Sequence, residues 1–193
     1  RSGYRPGNHI ITSKIEHPAV LATCKALENA GAEVSYVPVD ASGRVDPALI
    51  EAAVRDTTLL ISVMHANNET GVIQPVEEIS EISRRHGIML HTDAVQSVGK
   101  IPVNVEGLGV DLLSLSGHKI HGPKGVGVLY IRKGGKLVPF MTGGSHERKR
   151  RAGTENVPAI VGLGAASRLA RERLPEMQTR VGALRDRLEN QIL

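Results

Sequence analysis

The sequence predicts an α/β fold in which a mainly parallel sheet lies between helices, a three-layer α/β/α arrangement. Short apolar or β-branched runs alternate with segments of helical period, as expected for parallel strands joined by crossover helices. The 193 residues are 40% apolar and 23% charged, which is ordinary for a globular chain. A chain of this length can bury one sizeable core, so one core is expected.

The alternation defines the elements in order along the chain. The predicted strands are His9–Ser13, Glu33–Val37, Thr58–Met64, Ile88–Asp93, Val110–Ser114 and Gly127–Ile131. The predicted helices between them are Pro18–Ala30, Pro47 to about Val54 after the cap Asp46, and Val76–His86 after Pro75. Gly31 and Gly87 follow two of these helices at the position that favours positive φ. Because Thr58–Met64 is nearly all apolar, we expect it to be a central strand.

The regular alternation stops after Ile131. The segment Arg132–Gly153 is rich in glycine and contains a run of basic residues, so we expect a loop. From Pro158 the chain is predicted to be helical to its end. Apolar residues recur there every three or four positions and predict an amphipathic helix: Leu174, Met177, Val181, Leu184, Leu188 and Ile192.

Composition excludes several classes of protein. The 24 basic and 20 acidic residues give a net charge of +4, and aromatic residues are 2% of the chain, so no nucleic-acid partner is expected. The longest nearly apolar run, Leu59–Met64, is far shorter than the ~20 residues of a membrane span. The single cysteine, Cys24, excludes an internal disulfide and indicates a reducing compartment.

Polar residues follow three predicted strands, where open α/β sheets bind ligands. Lys119 comes just after a strand among Ser, Gly and His, and we expect it to lose solvation, which favours the neutral amine of a Schiff-base lysine. Asp93, after the neighbouring strand, could hold the ring nitrogen of pyridoxal phosphate protonated. Each residue also has an ordinary interpretation: an exposed lysine in a glycine turn, and a turn or cap aspartate.

Five motifs, in order along the chain, resemble the cysteine desulfurases of the class V aminotransferase superfamily of pyridoxal-phosphate enzymes. They are Glu16–Val20, Asn67–Gly71, His91–Lys100, Ser116–Gly125 and Arg151–Asn156. The resemblance runs from about Ile10 to Gly164 and leans toward the subgroup that supplies sulfur for iron–sulfur clusters. It implies part of the large domain of fold type I, with residues 1–165 as the cofactor-binding core. Residues 166–193 would be an amphipathic helix leading toward a small domain that is missing here.

The resemblance implies roles at individual positions. Lys119 matches the lysine that bonds to pyridoxal phosphate and moves protons, and His17 matches the histidine stacked on its ring. Asp93 matches the partner of the ring nitrogen. The other matches are Gln96 and Asn68 near the phenolic oxygen, Ser116 and His118 on the phosphate, and Thr154 on the phosphate of the neighbouring subunit in a homodimer.

Other interpretations of these residues remain open. His17 could simply be a satisfied histidine near a helix start. His118 and His121 lack a third ligand at suitable spacing, so no metal site is predicted. The run Arg148–Arg151 is by default a solvated basic face. Glycines 122, 125 and 127 do not complete a P-loop, and we expect them to let the backbone approach the cofactor.

The implied function is that of a cytoplasmic cysteine desulfurase, which converts L-cysteine to L-alanine and leaves sulfur as an enzyme persulfide for an acceptor such as an iron–sulfur scaffold protein. The family's phosphate loop, persulfide cysteine and carboxylate-binding arginine have no match here, and we expect Cys24 to be a small buried hydrophobe. The chain is therefore expected to be a truncated piece, incomplete for turnover. The alternatives are a non-catalytic remnant that acts as a binding module and another class V enzyme, such as a selenocysteine lyase or an aminotransferase.

Overall fold

The structure, a computed structural model, describes residues 7–135 and 137–193. Lys136, in the loop predicted over Arg132–Gly153, lies outside the described residues, as do residues 1–6. The strands are β1 His9–Ser13, β2 Glu33–Val37, β3 Thr58–Ser62, β4 Met89–Asp93, β5 Leu112–Ser116 and β6 Gly127–Ile131. They form a six-stranded sheet in the order β2-β1-β3-β4-β5-β6. The predicted mainly parallel sheet is confirmed, since only β6 runs antiparallel to its neighbour.

Six α-helices accompany the sheet in the described part of the chain. They are α1 Pro18–Asn29, α2 Pro47–Ala52, α3 Val76–His86, α4 Val105–Leu108, α5 Val157–Glu176 and α6 Gly182–Ile192. The predicted start of α2 is confirmed, because the Asp46 side chain accepts the Ala48 N–H at 2.9 Å. Short 3₁₀-helices cover Gly117–Ile120 and Glu147–Lys149.

The main core lies between the sheet and the helices α2 and α3. Ile11 of β1, Ile61 of β3 and Leu90 of β4 are fully buried there, together with Ile50 of α2 and Ile79 of α3. The predicted central position of β3 is confirmed by its place between β1 and β4. A second, smaller cluster contains Ile120, Leu163 and Ala166, and attaches α5 to the 3₁₀-helix that follows β5.

Two histidines bridge neighbouring strands through hydroxyl groups. His91 of β4 bonds to Ser62 Oγ of β3 through Nδ1 and to Ser114 Oγ of β5 through Nε2, each at 2.8 Å. His9 of β1 does the same with Thr58 Oγ1 at 2.8 Å and Ser35 Oγ at 2.9 Å. Both rings are satisfied at both nitrogens, so they serve the sheet rather than a ligand.

The predicted C-terminal helix is present, with one interruption. A π-helical segment, Met177–Val181, separates α5 from α6 just after Pro175, whose missing N–H weakens the regular ladder. The apolar residues of α6 are exposed, with Leu184 at 56% and Leu188 at 59%. The predicted division of the chain at residue 166 falls within α5 and stays a prediction. None of the helices in the described ranges is long and apolar enough to cross a membrane.

Candidate functional site

The segments that follow β1, β3, β4 and β5 meet at the carboxyl edge of the parallel strands. The His65 N–H donates to the Asp93 carbonyl at 2.9 Å, and the Ala94 N–H donates to the Ser114 carbonyl at 2.9 Å. These bonds continue the sheet pairing past the strand ends and hold the three segments after β3, β4 and β5 side by side. The predicted convergence of polar segments at this edge is therefore present in the structure.

Asp93 is the last residue of β4 and is half-buried. Its Oδ1 accepts the Val95 N–H at 2.9 Å, which closes the turn after the strand. In the described part of the chain Oδ2 has no hydrogen-bond partner. Asp93 is thus a turn residue, as its ordinary interpretation holds, and it also has a carboxylate oxygen available to a ligand.

Gln96 lies in the turn after Asp93 and is half-buried. Its side-chain Oε1 accepts a hydrogen bond from Lys100 Nζ at 3.1 Å, and its backbone carbonyl accepts another from the same atom at 3.1 Å. Burial, and next the charge of Lys119, lower the pKa of Lys100.

Lys119 lies in the 3₁₀-helix Gly117–Ile120, directly after β5. The expectation that it loses solvation is wrong in this structure, because Lys119 is exposed. The short helix directs the neighbouring Ile120 into the protein and leaves Lys119 outside. Lys119 and Lys100 both line a cavity of about 470 Å³ that opens between this turn and the helices α5 and α6.

Ser116 and His118 flank the same turn. Ser116 Oγ lies 2.7 Å from His118 Nδ1, at hydrogen-bond distance. His118 is exposed at the sheet edge. A hydroxyl and an imidazole arranged in this way suit an anionic group such as a phosphate. Within residues 7–135 and 137–193 no group of three His, Cys, Asp or Glu could hold a metal ion.

His17 is the N-cap residue of α1. Its Nδ1 accepts the Ala19 N–H at 3.1 Å, and the ring is exposed. The Nδ1 atom is therefore satisfied by its role at the helix start, as the ordinary interpretation of His17 holds, while the exposed ring remains accessible. The preceding residue, Glu16, is 4% exposed, and its Oε1 accepts hydrogen bonds from Ser13 Oγ at 2.5 Å and from the Met64 N–H at 2.9 Å. These bonds fix the segment that carries His17 against the end of β3.

Two neighbouring asparagines differ in environment. Asn67 is buried, and its Oδ1 accepts the N–H groups of Glu69 and Thr70, each at 2.9 Å. Its Nδ2 donates to the Ile15 carbonyl at 3.0 Å. Asn68 is exposed. Asn67 therefore shapes the loop that presents Asn68.

Thr154 shares no hydrogen bond with the other predicted site residues in the described part of the chain. It is exposed in the segment before α5, and none of the hydrogen bonds described for residues 7–135 and 137–193 joins it to the β4 and β5 turns. The basic run before it includes Arg148, which has a positive φ of 56°. This run is exposed except for the half-buried Arg150, as expected for a solvated basic face.

The expectation that the glycines after Lys119 let the backbone approach a cofactor stays a prediction, and the structure gives Gly122 and Gly127 a role in packing. A Cβ on Gly127 would lie 2.8 Å from the Leu115 carbonyl oxygen, and one on Gly122 would lie 2.9 Å from that of Gly117. Glycine is required at both positions because the chain's own backbone lies there, where β5, the turn after it and β6 pack together. Cys24 is buried on α1, which confirms its interpretation as a small core residue.

Sequence reasoning missed three residues at this edge. Glu16, Asn67 and Lys100 stand within the motifs that carry the resemblance, but no role was predicted for them. Glu16 and Asn67 depend on contacts 48 and 52 positions away in the sequence, which local spacing does not reveal, whereas Lys100 contacts Gln96 four positions before it. The signal that could have found them is position, because each adjoins or lies near a predicted site residue: His17, Asn68 or Gln96.

The fold and the site define an α/β protein with a candidate ligand-binding edge that carries a lysine, an aspartate and an imidazole. The sequence profile of the class V aminotransferase family matches residues 1–193. The chain therefore belongs to the class V aminotransferase family, whose members depend on pyridoxal phosphate in general.

Curated relatives with the name cysteine desulfurase are similar to most of the chain. The chain is 58% identical over 182 residues to a cysteine desulfurase, IscS, of Methanosarcina thermophila, which covers 94% of the chain and 45% of that protein. It is 54% identical over 187 residues to a cysteine desulfurase of Gluconacetobacter diazotrophicus, and the match covers 96% of this chain and 47% of that protein. The chain thus spans about half the length of the curated relatives it matches.

Solved structures agree with the described fold. A NifS-like protein superposes with a TM-score of 0.93 at 47% identity, covering 96% of this chain and 52% of the other. A second structure, of SspA in complex with cysteine, superposes with a TM-score of 0.81 at 46% identity. The match covers 84% of this chain and 47% of the other.

Proposed function

We propose that the chain is the pyridoxal-phosphate-binding part of a cysteine desulfurase, which converts L-cysteine to L-alanine and transfers the sulfur to a thiol. The observation that carries the proposal is the set of side chains after β4 and β5. Asp93, Gln96, Ser116, His118 and Lys119 lie along one edge of the sheet, in motifs shared with the family.

The donor set fits pyridoxal phosphate. Asp93 has a carboxylate oxygen free to hold a proton on a cationic ring nitrogen, and Lys119 has an accessible amine. Ser116 and His118 offer hydroxyl and imidazole groups for the phosphate, and the exposed ring of His17 can stack on an aromatic ligand. Pyridoxal phosphate, when bound, withdraws electrons from the α carbon of an amino-acid substrate. Lys119 is the base that we assign to that carbon, and Asn68 is assigned with Gln96 to the phenolic oxygen.

The thiol that receives sulfur is not Cys24. Cys24 is buried on α1, and burial raises its pKa, so it is neither accessible nor readily ionised. The persulfide-forming thiol of the proposed reaction must therefore come from outside these 193 residues. The chain by itself is expected to bind the cofactor without completing turnover.

The proposal extends to partners by resemblance. We assign a homodimer in which Thr154, which is exposed, reaches the phosphate site of the neighbouring subunit. A sulfur acceptor such as an iron–sulfur scaffold protein would receive the product. The single cysteine suits a reducing compartment, and we assign the cytoplasm.

Titration of the purified chain with pyridoxal phosphate tests the proposal. We expect a coloured complex that borohydride reduction fixes on Lys119, identified by peptide mapping. Lys119→Ala should abolish the trapped product, whereas Lys124→Ala, an exposed lysine in the same loop, should leave it unchanged. Trapping at Lys124, or equal trapping in both variants, would remove Lys119 from its assigned role.

A second candidate is a binding module without turnover, and the exposed apolar face of α6 favours it. Leu184, Leu188 and Ile192 are 56%, 59% and 73% exposed, enough to drive association. Light scattering that shows a stable monomer, with pyridoxal phosphate bound, would argue against this candidate.

A further inference from the structure

Lys100 is a cation with a defined position beside the proposed cofactor site. It is half-buried, and its Nζ donates to both oxygens of Gln96, the backbone carbonyl and the side-chain Oε1, each at 3.1 Å. In the described structure these are the only hydrogen bonds of the ammonium group. Lys100 therefore acts on one residue, Gln96, which is itself assigned to the ligand.

The chemistry of the two side chains fixes the orientation of the Gln96 amide. A lysine ammonium has only donors, whereas a glutamine amide has an acceptor oxygen and a donor NH₂ group. The amide oxygen must therefore face Lys100, and the NH₂ group must point away from it. The group that Gln96 can present to a ligand is thus a donor, which suits an anionic oxygen.

The backbone around Lys100 holds it near Lys119. Gly99 packs so closely on Ile120 that an added Cβ would lie 2.9 Å from Ile120 Cγ2. Gly99 also has a positive φ of 78°, which only glycine adopts easily. Lys100 directly follows Gly99, and Lys119 directly precedes Ile120. Both lysines therefore line the same cavity of about 470 Å³.

We propose that Lys100 is a positioning residue that locks the Gln96 amide with its NH₂ group toward the ligand, so that Gln96 selects an anionic oxygen. This inference deepens the proposed function. It rests on that function only for the identity of the anionic oxygen, which is the phenolic oxygen of pyridoxal phosphate. The orientation of the amide does not depend on that identity.

The burial and charge around Lys100 are consistent with this role. Its ammonium is partly desolvated and faces the like charge of Lys119, and both lower its pKa. A desolvated donor bonds more strongly to the carbonyl oxygens it has. The charge of Lys100 also adds to the positive potential that an anionic ligand oxygen would meet.

Two substitutions and a control test the proposal in the full 193-residue chain. Lys100→Met keeps a long side chain but removes the donor, Lys100→Arg keeps a donor, and Lys124→Met changes an exposed lysine in the loop after Lys119. Side-chain amide NMR of the free chain reports the orientation of Gln96, with assignment by Gln96→Ala. We expect one sharp NH₂ pair in the wild type, Lys100→Arg and Lys124→Met, and a doubled or broadened pair in Lys100→Met. An unchanged pair in Lys100→Met overturns the proposal.

Pyridoxal phosphate binding gives an independent readout. Lys100→Met should raise the dissociation constant for pyridoxal phosphate about tenfold. The pH at which the bound cofactor changes colour should also rise, because an oxygen that no longer accepts a hydrogen bond has a higher pKa. Lys100→Arg should restore most of both properties. Equal affinity and an equal colour transition in Lys100→Met would contradict the proposal. If the wild-type chain binds no pyridoxal phosphate, the proposed function fails while amide NMR still decides the role of Lys100.

The wild-type chain decides the question if Lys100→Met does not fold. The Gln96 NH₂ protons should show no close contact with the Lys100 side-chain terminus in nuclear Overhauser spectra, because the amide oxygen lies between them. A strong contact between these groups overturns the proposal.

Discussion

Ser13 Oγ donates a hydrogen bond of 2.5 Å to Glu16 Oε1 inside the protein, next to the segment that carries His17. The same oxygen accepts the Met64 N–H, whereas Oε2 is buried and has no partner in the described structure. Burial raises the pKa of Glu16 to about 7, the hydrogen bonds from Ser13 and Met64 oppose the rise, and the charge of Asp93 adds to it. Near neutral pH, Glu16 therefore keeps a proton that an exposed glutamate would lose.

Glu16 should make the chain less stable at alkaline pH. Its pKa is higher in the folded than in the unfolded chain, so its contribution is complete below about pH 4.5 and is lost as pH rises through about 7. The loss amounts to at most about 3 kcal/mol of unfolding free energy. Urea unfolding between about pH 5 and about pH 8.5 should show a loss of unfolding free energy in the wild type relative to Glu16→Gln, which retains the opposite contribution of His91. Glu81→Gln, an exposed carboxyl on α3, is the control and should show the same loss relative to Glu16→Gln as the wild type.

His91 should make the chain less stable at acidic pH. Burial lowers its pKa, against an opposing effect of Asp93, so its contribution is present above about pH 6.5 and is lost as pH falls below that value. His91→Leu should reduce the acid sensitivity, to which His9 and His65 also contribute because burial lowers their pKa values. It should also cost about 2 kcal/mol at neutral pH, because Ser62 and Ser114 lose their partner. His121→Asn, at an exposed left-handed position, should retain the acid sensitivity. Equal acid sensitivity in His91→Leu and the wild type would show that another group is responsible.

Asn67 and Asn68 should separate loop stability from ligand binding. Asn67→Ala removes the acceptor of two backbone N–H groups and should cost about 2 kcal/mol in thermal unfolding. Asn68→Ala, at the exposed neighbour, should change stability by less than about 0.5 kcal/mol but weaken pyridoxal phosphate binding. The reverse pattern would mean that the two roles are assigned to the wrong residues.

Asp93→Asn should weaken pyridoxal phosphate binding without disturbing the fold. The amide oxygen can still accept the Val95 N–H, so the turn after β4 is kept, but the negative charge for a ring nitrogen is lost. We expect about tenfold weaker binding in fluorescence titration. Because the Asp93 charge also raises the pKa of Glu16, the alkaline loss of stability should become smaller. Wild-type affinity in Asp93→Asn would exclude this carboxylate as the partner of the ring nitrogen.

Most of the sheet could be predicted from sequence because its strands are short apolar runs between strong turn signals. Two strands differ from their predicted bounds by two residues. The strand β3 was predicted over Thr58–Met64 and ends at Ser62, and β5 was predicted over Val110–Ser114 and is observed over Leu112–Ser116. Val110 is fully buried in the turn before the strand, and the Asp111 side chain accepts the Leu90 N–H at 3.0 Å. The apolar pattern reports burial, and here burial begins before strand pairing does. Helix α4 was missed because four residues are too few for a periodic pattern.

The candidate site was predictable only as a set of residue types near strand ends. Lys119 shows the limit, because its solvation depends on which side of a single 3₁₀ turn faces the protein. The bonds of Lys100 to Gln96 and of Asn67 to Ile15 depend on backbone geometry that spacing does not specify. The bridging histidines likewise require the register of three strands, which becomes known only when the sheet is assembled.

The antiparallel course of β6 determines how the rest of the chain must travel. The strand β6 begins at the ligand edge and delivers the chain, at Ile131, to the opposite end of the strands, about 14 Å away. The α5 helix nevertheless packs on the turn that holds Lys119, so the segment between them has to return that distance over the surface. A protease cut in this segment would leave two pieces that remain associated, and extra residues could be inserted there at little cost.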